Sequence, residues 1–401
     1  MALNVKVGLI GPLDMLKFKN MAKVREEEIE KVPAKEISGE FAINTKAKEL
    51  HPDVQKMEIV EVIDHAAAGA KTFVLKAQNG CAAYFRAGQY LSVKEQIGGS
   101  FITRPYSISS SPKDAKNGKV SITVKTNPTG FAAGYFLENW TVGKQVIVSD
   151  PQGQFYYEPM RDAKTVIACA GGSGITPFLS MAQAIRDGVE DFGLTILFGS
   201  RNRESILFAK EFEEICKATD KVKVVHVLSD EEAEGYEHGF INAELIKKYA
   251  PQSDYSVFIC GPEAMYRFIE KELPALNLPA KNIRRELLGV TKKVWEQAGY
   301  PQECKDKTFK VTVKRGPIEQ TLDASANESV LTALERAGIK APSRCRSGEC
   351  GWCRSKLVSG SVFIPEENEG RRFSDIQFNY IHPCASFATS DLIIEVPGEY
   401  Y

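Results

Sequence analysis

"SRCRSGECGWCRSK", residues 343–356, carries Cys345, Cys350 and Cys353 in the spacing C-x4-C-x2-C, and Cys384 follows later in "YIHPCAS". Three ligand-type residues together and one late do not match a zinc site, whose ligands usually come as two short-spaced couples. Nine cysteines in a 401-residue chain are an odd number scattered over a long sequence, whereas disulfide frameworks belong to small secreted domains. Ser347, Gly348 and Gly351 suit a loop that folds its backbone round a bound group and aims N–H donors at sulfur. The spacing is that of four thiolates holding two irons, a [2Fe-2S] cluster.

Working outward, "KTFKVTVKRGPIEQTLDA" predicts a β-hairpin before the loop, "ESVLTALERAG" a short helix, and "SDLIIEV" a strand after Cys384. These features define a domain over 307–401, preceded by a linker at 291–306, "TKKVWEQAGYPQECKD". Between 159 and 290, buried apolar runs such as "KTVIACAGG" and "LTILFGS" alternate with amphipathic helical stretches. That alternation predicts a doubly wound α/β domain on a parallel sheet. Between 54 and 158, six short β-rich runs are punctuated by Gly, Pro and Asn, with one helical stretch, "FAAGYFLENW". They predict a small antiparallel β-barrel. Residues 1–53 are an extension in which Phe18, Met21, Ala22 and Ile29 fall at helical spacing before Pro33.

Lys and Arg number 51 against 52 Asp and Glu, a net charge of -1, so no basic field is available for a nucleic acid or an anionic membrane surface. No run approaches the roughly 18 to 20 apolar residues of a membrane span, and the N-terminus has no signal-peptide core. A cytoplasmic protein is expected.

"VIACAGGSGITPF" places a Gly-rich turn between a buried strand and a helix, where backbone N–H groups hold a pyrophosphate. The third glycine of the ordinary Rossmann fingerprint is missing. The next strand ends in Ser200-Arg201 with no acid to accept a ribose hydroxyl, which leans toward a 2′-phosphate, with Arg203 nearby. In "RPYSISS", Arg104, Tyr106 and Ile108 alternate with Pro105 and Ser107 along a strand.

The order "RPYSISS", "GGSGITP", "ICGPEAM" resembles the ferredoxin-NADP reductase superfamily over about 54–290, and 307–401 resembles a plant-type ferredoxin. Together they are similar to reductases built as flavin, NAD(P) and [2Fe-2S] domains, such as the reductase components of phenylacetyl-CoA epoxidase, hybrid cluster protein and phthalate dioxygenase. The resemblance implies a multidomain protein: an antiparallel β-barrel flavin domain, a doubly wound α/β NAD(P) domain and a β-grasp ferredoxin domain. It also implies roles. Arg104 would bind flavin phosphate, with Pro105 beside it; Tyr106 would pack on the isoalloxazine and Ser107 lie near its N5. Gly130, Phe131, Ala132 and Ala133 would form the helix start that binds the pyrophosphate of FAD, with FMN as the alternative because Ala133 replaces the usual Ser or Thr. Gly172, Gly174, Thr176 and Pro177 would hold the pyrophosphate of NADPH or NADH, with Ser200 and Arg201 at its adenosine end. Cys260, Gly261 and Pro262 would approach the nicotinamide, with Glu286 at the end of that domain. A helix following Cys260 is expected to lower its pKa. Cys345, Cys350, Cys353 and Cys384 would ligate the cluster.

The implied function is transfer of electrons from NAD(P)H through flavin to the cluster and on to a separate redox protein, Ser107, Cys260 and Glu286 acting as catalytic positioning residues. Nicotinamide gives two electrons and the cluster takes one at a time, so a flavin is needed between them. The alternatives are the reductase of an oxygen-activating hydroxylase, and a docked electron-entry subunit or redox sensor held through residues 1–50 and "EENEGRRF". The sequence leaves the oligomeric state open.

Overall fold

The computed structural model describes residues 54–398 apart from 79, 128, 129, 287, 288 and 290, together with 20, 21, 23–28, 31 and 47. Met1–Lys48 forms one compact unit and Glu49–Tyr401 another. In the first, Asn20, Met21 and 23–28 are helical and Met21 is exposed; Phe18, Ala22, Ile29 and Pro33 lie outside the described residues.

The second unit begins with strands β1 (Val54–His65), β2 (Ala70–Ala77), β3 (Tyr90–Ile97), β4 (Ser100–Ser107), β5 (Lys119–Lys125) and β6 (Gln145–Ser149). They make one six-stranded antiparallel sheet in the order β4-β3-β6-β1-β2-β5. An Ile108–Ile122 bridge joins the two edges and closes the barrel. Alternate residues face inward because side chains alternate along a strand, so Met57, Ile59, Phe73, Leu75, Val93, Ile122 and Val148 fill the core. Helix α1 (Pro112–Ala115), unanticipated in the sequence, is started by the Ser111–Asp114 capping box. Helix α2 (Phe131–Asn139) plugs the barrel with Phe136, stacked on Trp140 at 4.2 Å.

The next layer holds β7 (Thr165–Gly171), α3 (Thr176–Arg186), β8 (Gly193–Ser200), α4 (Ala209–Ala218), β9 (Val222–Leu228), β10 (Glu237–His238), α5 (Ala243–Tyr249), β11 (Ser256–Cys260), α6 (Glu263–Glu272) and β12 (Ile283–Arg285). All strands pair in parallel, in the order β10-β9-β8-β7-β11-β12. Separate apolar clusters cover the two faces, which is why β7 and β11 read as continuous apolar runs. The chain winds outward from β7 to β10, then returns to β11 on the other side of β7. The crevice beyond the carboxyl ends of β7 and β11 is thus the topological switch point, where open α/β sheets bind ligands. Phe155 and Tyr157, next to the barrel in sequence, pack into this domain's core.

The last layer comprises β13 (Thr308–Arg315), β14 (Ile318–Ser325), α7 (Val330–Arg336), β15 (Ser355–Ser359), β16 (Val362–Phe363), α8 (Phe373–Gln377), β17 (Tyr380–Ile381), β18 (Phe387–Ala388) and β19 (Leu392–Glu395). The main sheet runs β14-β13-β19-β15-β17, with β13 and β19 parallel; α7 buries Val330, Ala333 and Leu334 under it and turns Leu331 toward Cys353 and Cys384. Residues 291–306 are more than a tether: Val294, Tyr300 and Cys304 are buried against Ala326 and Phe387.

Candidate functional site

At the switch point the turn after β7 comes so close to β11 that a Cβ on Gly174 would lie 2.1 Å from the Cys260 carbonyl oxygen. Gly172 adopts φ +53, a left-handed conformation that glycine reaches without strain. Thr176 Oγ1 donates to the Ser173 carbonyl at 2.9 Å, and Pro177 opens α3, where its missing N–H costs nothing. A Cβ on Gly261 would meet the Met265 sulfur at 2.6 Å, and Pro262 caps α6. Ser200 Oγ is buried without a partner among the described residues. The Arg201 guanidinium lies close enough to Lys125 to push that ammonium's pKa down, after burial as the larger cause. Lys125 Nζ is 3.8 Å from where a Cβ on Gly172 would be, a cation the sequence reading missed because it lies at the end of β5, in another domain. Arg203 is taken up by Glu231 at 2.5 Å.

Ser107, Cys260 and Glu286 come together. Ser107 Oγ donates to Glu286 Oε2 at 2.8 Å, and the Cys260 thiol donates to the same oxygen at 3.7 Å. All three are buried. Burial pushes the Glu286 carboxyl up to about 8, and Oε1 has no partner among the described residues. Tyr266 Oη donates to the Glu286 carbonyl and, at 3.2 Å, to that of Ile259, fixing the backbone beneath the carboxyl. The expectation of an activated Cys260 is corrected. The thiol ends a strand, three residues before the first residue of α6, and burial followed by the Glu286 charge raises its pKa well above the ordinary value. It is a neutral donor.

Tyr106 meets Phe136 edge-on at 6.1 Å, and Pro105 is half-buried. The Arg104 guanidinium faces Glu335 of α7 at 3.1 Å. Gly130 caps α2 with no side-chain bond from the described residues, leaving the first turn at Phe131, Ala132 and Ala133 with no acidic side chain.

The four cluster-type cysteines converge. Cys353 Sγ lies 3.4 Å from Cys384 Sγ, and Cys345 exchanges side-chain hydrogen bonds with Cys350 and Cys384 that push its thiol down and theirs up. All nine cysteines are free. Backbone N–H groups of Ser347 and Cys350 donate to Cys345 Sγ, and that of Trp352 to Cys350 Sγ, each at 3.4 Å. Among the described residues no three His, Cys, Asp or Glu side chains are arranged round one metal ion. A soft, all-thiolate set ringed by N–H donors fits an iron–sulfur group. Gly348, at φ +89, lets the loop pass where a Cβ would sit 2.3 Å from the Asn368 carbonyl oxygen. "EENEGRRF" is therefore partly a brace for the cluster loop: Asn368 Nδ2 donates to the Ser347 carbonyl at 3.1 Å. Glu349, in the loop, is pushed up to about 7 by burial and by Cys345, and its charge reaches Glu286. The Gly289 N–H, three residues beyond Glu286, donates to the Cys345 carbonyl at 3.4 Å, so the cysteine loop lies against the segment that carries Glu286.

Residues 60–157 match the model of an oxidoreductase FAD-binding domain, 169–271 that of an oxidoreductase NAD-binding domain and 313–389 that of a 2Fe-2S iron-sulfur cluster binding domain. The glycine betaine monooxygenase reductase subunit of Chromohalobacter salexigens is 27% identical over 81% of this chain and 91% of its own. The ferredoxin reductase component of the 3-ketosteroid-9-alpha-monooxygenase of Mycobacterium tuberculosis is 27% identical over 85% and 95%. The solved structure of phthalate dioxygenase reductase superposes with a TM-score of 0.61 at 26% identity, covering 86% of this chain and 98% of that one. No helix among the described residues is long and apolar enough to cross a membrane. The chain belongs to the ferredoxin-NADP reductase superfamily, as an oxidoreductase with FAD-binding, NAD-binding and C-terminal [2Fe-2S] ferredoxin domains.

Proposed function

We propose that this chain is the electron-supplying component of an oxygenase-type system, passing electrons from NAD(P)H to a separate redox protein that its cluster domain meets. The observation that carries this reading is the convergence of Ser107 from the barrel with Cys260 and Glu286 from the α/β domain, beside the loop of Cys345, Cys350 and Cys353. Three relatives are named as reductases of two monooxygenases and of a dioxygenase, which supports an oxygenase as the acceptor.

When bound, nicotinamide and flavin would supply hydride transfer, and the cluster would supply one-electron steps. In this reading Gly172, Gly174, Thr176 and Pro177 seat the nicotinamide cofactor's phosphates, and Lys125 and Arg201 supply the positive charge. Ser200 offers its hydroxyl. With Arg203 engaged by Glu231, Arg201 alone faces any 2′-phosphate. Gly261 and Pro262 let the backbone approach the nicotinamide. The first turn of α2 at Gly130–Ala133 offers N–H groups to flavin phosphate, Arg104 and Pro105 border it, and Tyr106 covers the ring. Ser107, Cys260 and a protonated Glu286 line the hydride path with neutral donors. A carboxyl that keeps its proton adds no negative charge where a hydride must arrive. The four cysteines hold the cluster, and Ser347, Cys350 and Trp352 N–H groups stabilise charge on two of its sulfurs. The domains follow 54–158, 159–290 and 307–401, with cytoplasmic residence.

Anaerobic titration of the holoprotein with NADH and, separately, NADPH tests this reading. Bleaching of flavin and cluster bands by near-stoichiometric nucleotide is expected. Failure of both nucleotides to reduce the flavin would refute it.

A further inference from the structure

We propose that Arg344 and Arg346, on either side of Cys345, act with Glu335 and Asp150 as positioning residues that dock the cluster loop on the flavin barrel and set the rate of flavin-to-cluster electron transfer. The inference rests on the electron path proposed above.

Arg346 stands at φ +59, a conformation that a residue with a long side chain adopts only where its surroundings hold it. Its Nη1 donates to Glu335 Oε1 at 2.6 Å and its Nη2 to Thr332 Oγ1 at 3.3 Å. Glu335 lies in the last turn of α7 and is buried. Its Oε1 also accepts from the Thr103 N–H at 3.3 Å and from Arg104 Nη1 at 3.1 Å, and its Oε2 from Arg104 Nη1 at 3.1 Å. One carboxylate thus joins the cluster loop to β4, the strand that ends in Ser107. On the other side of Cys345, the buried Arg344 donates from Nη1 to Asp150 Oδ1 at 2.9 Å, just beyond β6. Its guanidinium also lies 3.5 Å over the ring of Trp352, between Cys350 and Cys353.

The loop is therefore pinned to the barrel at two places by the neighbours of a single ligand. Burying these charges is costly, and the best-attested use of such pairs is to fix register. Apolar residues would hold two domains together; rigid guanidinium forks fix where they meet. Electron transfer falls steeply with distance, so a loop free to shift loses rate even when its cluster is intact. Arg104 sits on both sides of this arrangement, since the strand that borders the flavin site also bears the loop's anchor.

The test uses full-length holoprotein: wild type, Glu335→Gln and Asp150→Asn. Each is mixed anaerobically with NAD(P)H while the flavin and cluster bands are followed. Each event that bleaches the cluster removes one electron from the reduced flavin and reduces one ferric iron. In E335Q, cluster bleaching is expected to slow about tenfold, because small misplacements are costly to rate. Flavin bleaching, ferricyanide turnover from the flavin and the cluster's electron paramagnetic resonance spectrum stay unchanged, while hydrogen exchange over 343–353 quickens. D150N, at a partly exposed pair, is expected to slow the same step about threefold. Wild-type rates of cluster bleaching in both variants, or equal slowing of both bands, would overturn the inference. If E335Q fails to retain its cluster, D150N decides. A wild-type protein whose flavin is reduced while its cluster never bleaches would refute the electron path itself, and is told apart because no variant is then needed to abolish the step.

Discussion

The Ser107–Cys260–Glu286 group and the loop of Cys345, Cys350 and Cys353 are neighbours built on opposite principles. Ser107, Cys260 and Glu286 are far apart in sequence, come from two domains, and meet as neutral groups sharing hydrogen bonds. The cluster loop gathers three of its four cysteines within nine residues and is held by charged side chains, Arg344 to Asp150 and Arg346 to Glu335. A pocket that receives a hydride benefits from low charge. A loop that must keep a fixed distance benefits from directional, buried ion pairs.

The comparison breaks most completely at a ligand. Cys384→Ser is expected to abolish the cluster's visible band and electron paramagnetic resonance signal, while flavin reduction by NAD(P)H persists; loss of both would mean the two regions fold as one. Next come the two close approaches. Gly348→Ala would put a Cβ 2.3 Å from the Asn368 oxygen at φ +89, and Gly174→Ala one 2.1 Å from the Cys260 oxygen. Each should cost about 3 kcal/mol, as overpacking against rigid backbone does. G348A should show it as lost cluster content and G174A as a raised KM for nicotinamide, so the damage sorts by region.

Glu286→Gln sharpens the contrast in charge. The folded carboxyl titrates near 8, against an ordinary value of 4.5. Between those values the unfolded chain has released the proton while the folded one retains it, so stability falls as pH rises through that window. E286Q removes that loss and should be about 4 kcal/mol more stable than wild type at pH 8, with the advantage shrinking to about 1 kcal/mol near pH 5. Denaturant unfolding at the two pH values measures it. Wild-type hydride transfer should decline above about pH 8 and E286Q should not. The smallest effect is expected at Ala133→Ser, which restores a hydroxyl at the start of α2. Flavin affinity should rise by about 1 kcal/mol, the worth of one hydrogen bond.

What could be read from the sequence follows the same division. The convergence of Cys345, Cys350, Cys353 and Cys384 was legible because iron–sulfur coordination imposes a local spacing, and the barrel and parallel sheet because alternating and continuous apolar runs report burial on one face or two. Ser107, Cys260 and Glu286 were reachable by family resemblance, yet their shared hydrogen bonds were not, since nothing local links 107 to 286. Cys260 reads as activated because the helix after it is visible in sequence whereas its burial is not. Lys125, at the end of a barrel strand, gives no sign that it faces Gly172. Arg344 and Arg346 do leave a signal, a cation on each side of a ligand, but their partners Asp150 and Glu335 lie in other elements. The stretch 291–306 reads as a linker by composition, yet its Val294, Tyr300 and Cys304 pack into the ferredoxin domain. Helix α5 carries Ala243 and Ile246 inward among Lys and Glu, too few apolar positions to mark it.

The most direct measurement is the time order of bleaching after anaerobic mixing of the holoprotein with excess NAD(P)H. Flavin absorbance should fall first and cluster absorbance after it, with the second phase absent in C384S. Cluster reduction that precedes flavin reduction, or proceeds in flavin-free protein, would contradict a relay in which the Ser107–Cys260–Glu286 pocket feeds the Cys345 loop.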